Sequence, residues 1–404
     1  MTGVRAAVTD HRTVRPTLAR RGAAILGSDA AGGMLLCVAA AVAVLWASSS
    51  RRGAYFGLWQ TELSIPRSGP ELTKTLQEWV NDALMVVFFL VVGLEVKREI
   101  VTGHLRDRRA ALVPIVAALG GMAVPALLYV FIAGSGEKGA GWGIPMATDI
   151  AFAVGVLALL GGRIPPAARI FLLTLAIVDD VGAIAVIAIF YSVGVSLLWL
   201  ALTALSFIGF ALLQRGGVRV PAVLLLVGLV AWYATLRSGV HPTIAGVLLG
   251  LLSPVCGPED GGLAGRALAK VSAFVILPIF ALANAGIDVD RDFIADAFDS
   301  DVTAAVVAGL LVGKIVGITA AAFLVIRSGR GRLPAETSWA MMSGLGMLGG
   351  VGFTVSLFIG ALSFPGSDQL VDEAKAGTFL ASILAALLGA VILCFATRRR
   401  PTAR

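Results

Sequence analysis

Apolar runs of roughly 17–25 residues recur along the whole of this 404-residue chain, and each is long enough to cross a bilayer as a helix. In hydrocarbon every backbone N–H and C=O must be satisfied inside the segment, so runs of this kind specify helices. Charged residues make up only 14% of the sequence, against about a quarter in a soluble domain. Almost nothing is left over for a water-soluble unit. The pattern predicts an all-α polytopic membrane protein: a basic tail at 1–29, one membrane domain over 30–396 and a short tail at 397–404.

The predicted spans are 30–48, 80–100, 111–132, 144–161, 167–190, 192–213, 221–236, 241–254, 271–287, 303–326, 338–362 and 377–396, about twelve in all. Arg20 and Arg21 before the first apolar stretch imitate a signal peptide, but that stretch is long for one and many spans follow it. An even number of spans places both termini on one side. With this topology 23 Lys and Arg fall on the side of the termini and eight on the other. The bias predicts that both termini are cytoplasmic. It also gives the net charge of +7 a membrane explanation and removes nucleic acid as a partner. The segment 241–254 is short for a span, yet if it did not cross, the arginines at 327–332 and 398–400 would face outward. Cys37, Cys256 and Cys394 lie in or beside apolar segments without metal-ligand spacing; they read as small packing residues.

Ionisable groups in mid-membrane cost roughly 2.5–3.5 kcal/mol each on insertion scales, so the few that persist identify the site. Asp179 and Asp180 sit near the middle of the span 167–190. Neighbours on a helix point about 100° apart, so the two carboxylates can flank one cavity but cannot be equivalent. Two negative charges this close repel, and either protons or a hard monovalent cation relieve the repulsion. One pair of groups that can hold a cation or protons is the minimum chemistry of an exchanger. Their roles are therefore unequal: Asp180 is taken as the indispensable cation ligand and Asp179 as the partner of Lys314. Asp149, with Thr148 before it, follows Pro145 in a stretch flanked by Gly143 and Gly155. That composition predicts a broken helix whose exposed ends need charged or polar partners. Asp149 could cap such an end or bind the ion.

The run Gly344–Thr354 holds five glycines within nine residues, more than one close helix contact requires, and predicts a second unwound span. Two interrupted spans, one in each half of the chain, point to an inverted-repeat transporter with its site between the repeats. Lys314 lies inside span 303–326 and must pair with a carboxylate, with Asp179 the candidate, or lose its proton. Glu95, Arg98 and Glu99 end span 80–100 as a solvated helix terminus or an acidic mouth. His241 opens the short span 241–254, and an imidazole titrates near neutrality, which suits pH sensing. It is grouped here with Glu95, Arg98 and Glu99 as a pH-response candidate of the cytoplasmic funnel.

With these residues placed, the chain resembles the NhaA-type sodium/proton antiporters over about residues 29–396. The resemblance is carried by Asn81-Asp82-Ala83-Leu84-Met85, by Gly93-Leu94-Glu95-Val96-Lys97-Arg98-Glu99 and by Ala147-Thr148-Asp149-Ile150-Ala151-Phe152. Val178-Asp179-Asp180-Val181-Gly182-Ala183-Ile184 completes the first half. The second half adds Ser238-Gly239-Val240-His241, Ala283-Asn284-Ala285-Gly286, Gly313-Lys314 and Gly352-Phe353-Thr354.

It implies a twelve-span inverted repeat, about 111–190 and 303–396, with two crossing discontinuous helices, in a bacterial inner membrane. It implies Asp179 and Asp180 as the cation (Na⁺ or Li⁺) and proton site, Thr148 and Asp149 beside it, and Lys314 as the charge partner. It implies a transporter without cofactor or catalytic residues, a cytoplasmic pH-response region at Glu95, Arg98 and Glu99, and a periplasmic loop over 49–79 forming a hairpin for a homodimer contact. The stretch Arg266–Ser272 lacks the acidic and histidine-rich cluster of strongly pH-responsive members. Sodium-coupled symport is the alternative within the same fold type, but no cluster suited to an organic solute is visible. An intramembrane aspartyl protease needs Tyr-Asp and Gly-x-Gly-Asp motifs, which neither Asp149 nor Asp179 occupies. A channel needs a wetter path than these spans offer.

Overall fold

The computed structural model describes residues 29–65, 72–192, 194–218, 220–254 and 263–398. The terminal tails and the hairpin tip at 66–71 lie outside the described residues.

The chain is a bundle of apolar helices. The first, α1 (Asp29–Ala47), turns sharply into α2 (Arg52–Trp59), the two axes meeting at 117°. A small antiparallel hairpin follows, β1 (Glu62–Ser64) paired with β2 (Thr73–Thr75). It leads into α3 (Leu76–Val101) through a capping box on Thr75 and Glu78. This short hairpin falls within the loop 49–79, in a chain that is otherwise helical. Then come α4 (Arg108–Ala133), α5 (Lys138–Met146, a 3₁₀ helix), α6 (Ile150–Leu160) and α7 (Pro166–Phe190). Next are α8 (Leu197–Arg215), α9 (Pro221–Arg237), α10 (Thr243–Leu252) and α11 (Gly265–Asn284). The chain ends with α12 (Arg291–Asp299), α13 (Asp301–Arg327), α14 (Trp339–Leu348), α15 (Phe353–Ser363) and α16 (Asp368–Arg398).

Among the described residues seven helices are long and apolar enough to cross a membrane, or ten if each bent pair is one span. Two more apolar helices, α9 and α10, are shorter. Several helices outrun their predicted bounds. α3 starts at Leu76 rather than 80 and α16 at Asp368 rather than 377, because turn-forming and capping residues extend each helix beyond its apolar run. The predicted loop 286–302 contains α12, capped by Asp290. Large apolar side chains point outward on many helices, among them Leu127, Phe131, Leu205, Leu225 and Phe395. A water-soluble surface does not tolerate so continuous an apolar coat; a bilayer requires it.

Glycines set the closest helix contacts. A Cβ on Gly246 would lie 2.1 Å from the carbonyl oxygen of Val86, and one on Gly250 2.5 Å from that of Leu90; α10 therefore lies directly on the backbone of α3. α13 lies on α4 in the same way, with Gly120 and Gly317 each facing the other's carbonyl. Small residues give membrane helices this approach, where no hydrophobic force drives them together. A π-turn, Gly309–Gly313, interrupts α13 immediately before Lys314.

Two large clusters make up most of the apolar interior, beside two small ones. One cluster gathers Tyr129, Ile144, Ala183, Ile187, Val302, Leu310 and Phe358. The other gathers Val113, Leu157, Leu172, Leu175, Ile318 and Leu345. On α4, α7 and α13 and on both broken segments, the chain passes from one cluster to the other. The crossing points are where Asp149, Asp179, Asp180, Lys314 and the glycines Gly349–Gly352 fall. A polar level thus lies between two dry layers.

Candidate functional site

Two helix breaks build this level. In the first, Pro145 ends the 3₁₀ helix α5 because it lacks an N–H, and Ala147 and Asp149 take extended conformations before α6 begins. In the second, Gly349–Gly352 separate α14 from α15. The two segments bend by 41° and 49° at their breaks. The first break fits the Pro145 reading, but Gly155 lies inside α6 and plays no part in it. In the second the unwinding is confined to Gly349–Gly352, while Gly344 and Gly346 stay helical and bring α14 against Leu393 and Ile315. None of the three break glycines, Gly349, Gly350 and Gly352, has a positive φ. Space is what requires them: a Cβ on Gly350 would lie 2.1 Å from the Leu310 carbonyl oxygen.

Asp149 ties the breaks together. Its Oδ1 accepts from the Phe152 N–H at 3.1 Å. Its Oδ2 accepts from the Thr354 N–H at 3.2 Å and the Thr354 hydroxyl at 2.7 Å. Its own N–H donates to the Val351 carbonyl oxygen at 2.6 Å. One carboxylate thus serves the N-terminal ends of both α6 and α15, where helix dipoles place partial positive charge. Both of its oxygens are engaged.

Thr148 and Lys314 meet on the other side of the crossing. The Lys314 ammonium, fully buried, donates to Asp179 Oδ2 at 2.5 Å and to the Thr148 hydroxyl at 3.0 Å. The Thr148 hydroxyl lies 2.7 Å from Asp179 Oδ2 and 2.8 Å from the Gly349 carbonyl oxygen. Its single proton can serve one of these acceptors at a time.

Asp179 and Asp180 are unequal. Asp179 gives Oδ2 to Lys314 and Thr148, while its Oδ1 is buried without a partner. Asp180 is 5% exposed, and among the described residues neither a hydrogen bond nor a salt bridge reaches its side chain; its Oδ1 is fully buried and unpartnered. Asp179, Asp149 and Glu95 all act on it electrostatically, opposed by Lys314. An ionised carboxylate left so would cost several kcal/mol, roughly the scale at which a proton or a bound cation is taken up instead. Apart from the Lys314 ammonium, the polar side-chain atoms described at this level are oxygens, of Asp179, Asp180, Asp149 and Thr148, a donor type that suits a hard cation. Among the described residues no group of three or more His, Cys, Asp or Glu gathers as a transition-metal site would need.

The remaining candidates lie elsewhere. Glu95 and Arg98 are exposed on the last turns of α3, and Glu99 accepts from the His104 N–H at 2.7 Å, closing the turn after that helix. His241 is not with them, which corrects its grouping in a cytoplasmic funnel. Its Nε2 is 3.5 Å from Asp82 Oδ1 at the opposite end of α3, about 20 Å away by helical rise. Asp82 in turn pairs with Lys74 of β2 at 2.7 Å. Tertiary packing, not sequence order, makes that cluster. Thr354 is not among the candidate site residues, although Gly352-Phe353-Thr354 is one of the motifs that carry the resemblance.

The apolar spans, the two broken helices and a buried, partly unsatisfied carboxylate pair define the class: a multi-pass membrane protein with ionisable groups held inside its bundle. Residues 23–393 match the family model described as Na⁺/H⁺ antiporter 1. The chain is 46% identical over 385 residues to a Na⁺/H⁺ antiporter NhaA of Acidovorax sp. (strain JS42), covering 93% of this chain and 92% of that protein. It is 44% identical to the Na⁺/H⁺ antiporter NhaA 1 of Klebsiella pneumoniae subsp. pneumoniae, over 91% and 94% of the two chains. It is also 44% identical to the NhaA antiporter of Nocardia farcinica, over 91% and 89%. The chain belongs to the NhaA family of Na⁺/H⁺ antiporters, which are transporters and not enzymes.

Proposed function

We propose that this protein exchanges cytoplasmic Na⁺ or Li⁺ for external protons across a bacterial inner membrane, with both termini cytoplasmic. Sodium and pH homeostasis is the resulting role. The observation that carries this reading is the unpartnered Asp180 beside the free Oδ1 of Asp179. A cation entering between them gains two carboxylate oxygens and weakens the hold of Asp179 on Lys314. Protons arriving from the other side neutralise the pair and displace the cation. Two carboxylates take two protons or one monovalent cation, so each cycle moves one net charge. Thr148 orients Asp179 and Lys314, and Asp149 holds the crossing in shape.

The order helix, broken helix, helix recurs in α4–α7 and α13–α16. It favours the twelve-span inverted repeat, about 111–190 and 303–396, with the breaks at its centre. The hairpin over β1 and β2 is proposed as a homodimer contact, and Glu95, Arg98 and Glu99 as the pH-responsive mouth.

The test is an assay in inside-out vesicles carrying a preformed acid-interior pH gradient. Added Na⁺ or Li⁺ should collapse the gradient, at a rate that depends on membrane potential. Asp180→Asn should slow the response at least a hundredfold. Normal exchange by that variant overturns the assignment, and indifference to potential overturns the two-for-one stoichiometry.

A further inference from the structure

Phe358 lies on α15, one helical turn beyond Thr354, and is 1% exposed. Three rings close on it from three other elements. His241, just before α10, stands edge-on at 5.1 Å and 89°. Phe89 of α3 is at 5.8 Å and Phe280 of α11 at 6.2 Å; both are buried. None of these three elements supplies a carboxylate to the site, whereas α15 forms one of its walls. A single side chain of the site-bearing group of helices is therefore seated in an aromatic socket of the other group.

The socket lies between the polar level and the face that bears the hairpin. Ala183, Ile184 and Ile187 continue α7 from Asp180 into the same apolar cluster as Phe358, Phe89 and Phe280. Beyond the rings, on the hairpin side, the His241 imidazole is held by Thr243 at 2.8 Å and faces Asp82, itself paired with Lys74. Between Asp180 and the His241–Asp82 pair lies this apolar cluster, with Phe358 and the rings around it. Antiport requires the site to open to each side in turn, by one bundle moving against the other, so this contact has to part.

We infer that Phe358 is the side chain that closes the route between the carboxylate level and the hairpin face, and that its seat on His241, Phe89 and Phe280 is the contact broken when that route opens. The inference rests on the exchange reading above, but its test does not use exchange.

Cys37, Cys256 and Cys394 are replaced by Ser, and Ala183→Cys is introduced as a reporter between Asp180 and Phe358. A charged, membrane-impermeant methanethiosulfonate is applied to one face of the membrane at a time. Leu63→Cys, exposed on the hairpin, identifies the vesicles in which that face is accessible. Phe358→Ala should raise labelling of the reporter from the hairpin face at least tenfold and leave labelling from the opposite face unchanged. Phe358→Leu, which keeps most of the volume but loses the ring, should raise it about threefold. Phe323→Ala removes a half-exposed ring that packs on Trp339 and measures general loosening. Unchanged labelling in both Phe358 variants, an equal rise from both faces, or an equal rise in Phe323→Ala would each overturn the assignment.

Discussion

The two helix breaks have one shape and opposite chemistry. The break at 147–149 brings side chains: the Thr148 hydroxyl reaches Asp179 and Lys314, and the Asp149 carboxylate reaches two helix ends. The break at 349–352 brings no polar side chain. It contributes the carbonyl oxygens of Gly349 and Val351 and the absence of Cβ atoms. A crossing of two broken helices needs both kinds of strand. Two polar breaks would crowd each other, and two bare ones would leave the exposed helix ends unanswered. The asymmetry also means that mutations at the two breaks should fail differently.

The sharpest test of that contrast is Asp149→Ala. It removes the acceptor shared by Phe152 and Thr354 and leaves two helix ends uncompensated. Exchange in proteoliposomes should fall on the order of a hundredfold, with a lost buried charged hydrogen bond of about 1.5–3 kcal/mol at each tie. If Asp149→Ala exchanges within twofold of the parent, the first break is not chemical at all. Gly350→Ala probes the second break. Its methyl would collide with the Leu310 carbonyl, so overpacking should destabilise the protein by about 1–3 kcal/mol, read as a lower melting temperature in detergent. The carboxylates remain in place, so cation binding to folded protein should stay within about threefold. If Gly350→Ala is as stable as the parent, the bare break is conformational and not steric. The smallest effect is expected at Gly155, where nothing lies within 4 Å of an added Cβ. Gly155→Ala sits inside α6 and should stabilise it by roughly 0.5–1 kcal/mol, leaving exchange unaltered. A loss of exchange there would extend the functional break beyond residue 149.

Legibility in the sequence followed the cost of burial. Asp179, Asp180 and Lys314 stand out because a charge inside an apolar run is rare, and Pro145 and the glycine run stand out because they disrupt helices. Which residues answer them was not legible. Asp149 and Thr354 are 205 positions apart, and only the crossing brings them together. The same holds for His241, whose partners Asp82 and Lys74 come from α3 and the hairpin before it. Gly344 and Gly346 look like Gly350 and Gly352 on the page. They remain helical because α14 uses them to lie against α16 and α13, a contact that no local pattern announces. The seat of Phe358 is equally silent, since one phenylalanine in an apolar span resembles any other.

The π-turn at Gly309–Gly313 carries a consequence for counting along α13. It holds one residue more than an α-turn would, so the two halves of the helix are out of step by about 100°. Val302, Ala305 and Val306 face inward before it, and Lys314, Gly317 and Ile318 face inward after it. A chain shortened by one residue within that turn would regain unbroken α-geometry and still lose its charge pair, because Lys314 would swing away from Asp179 toward the lipid.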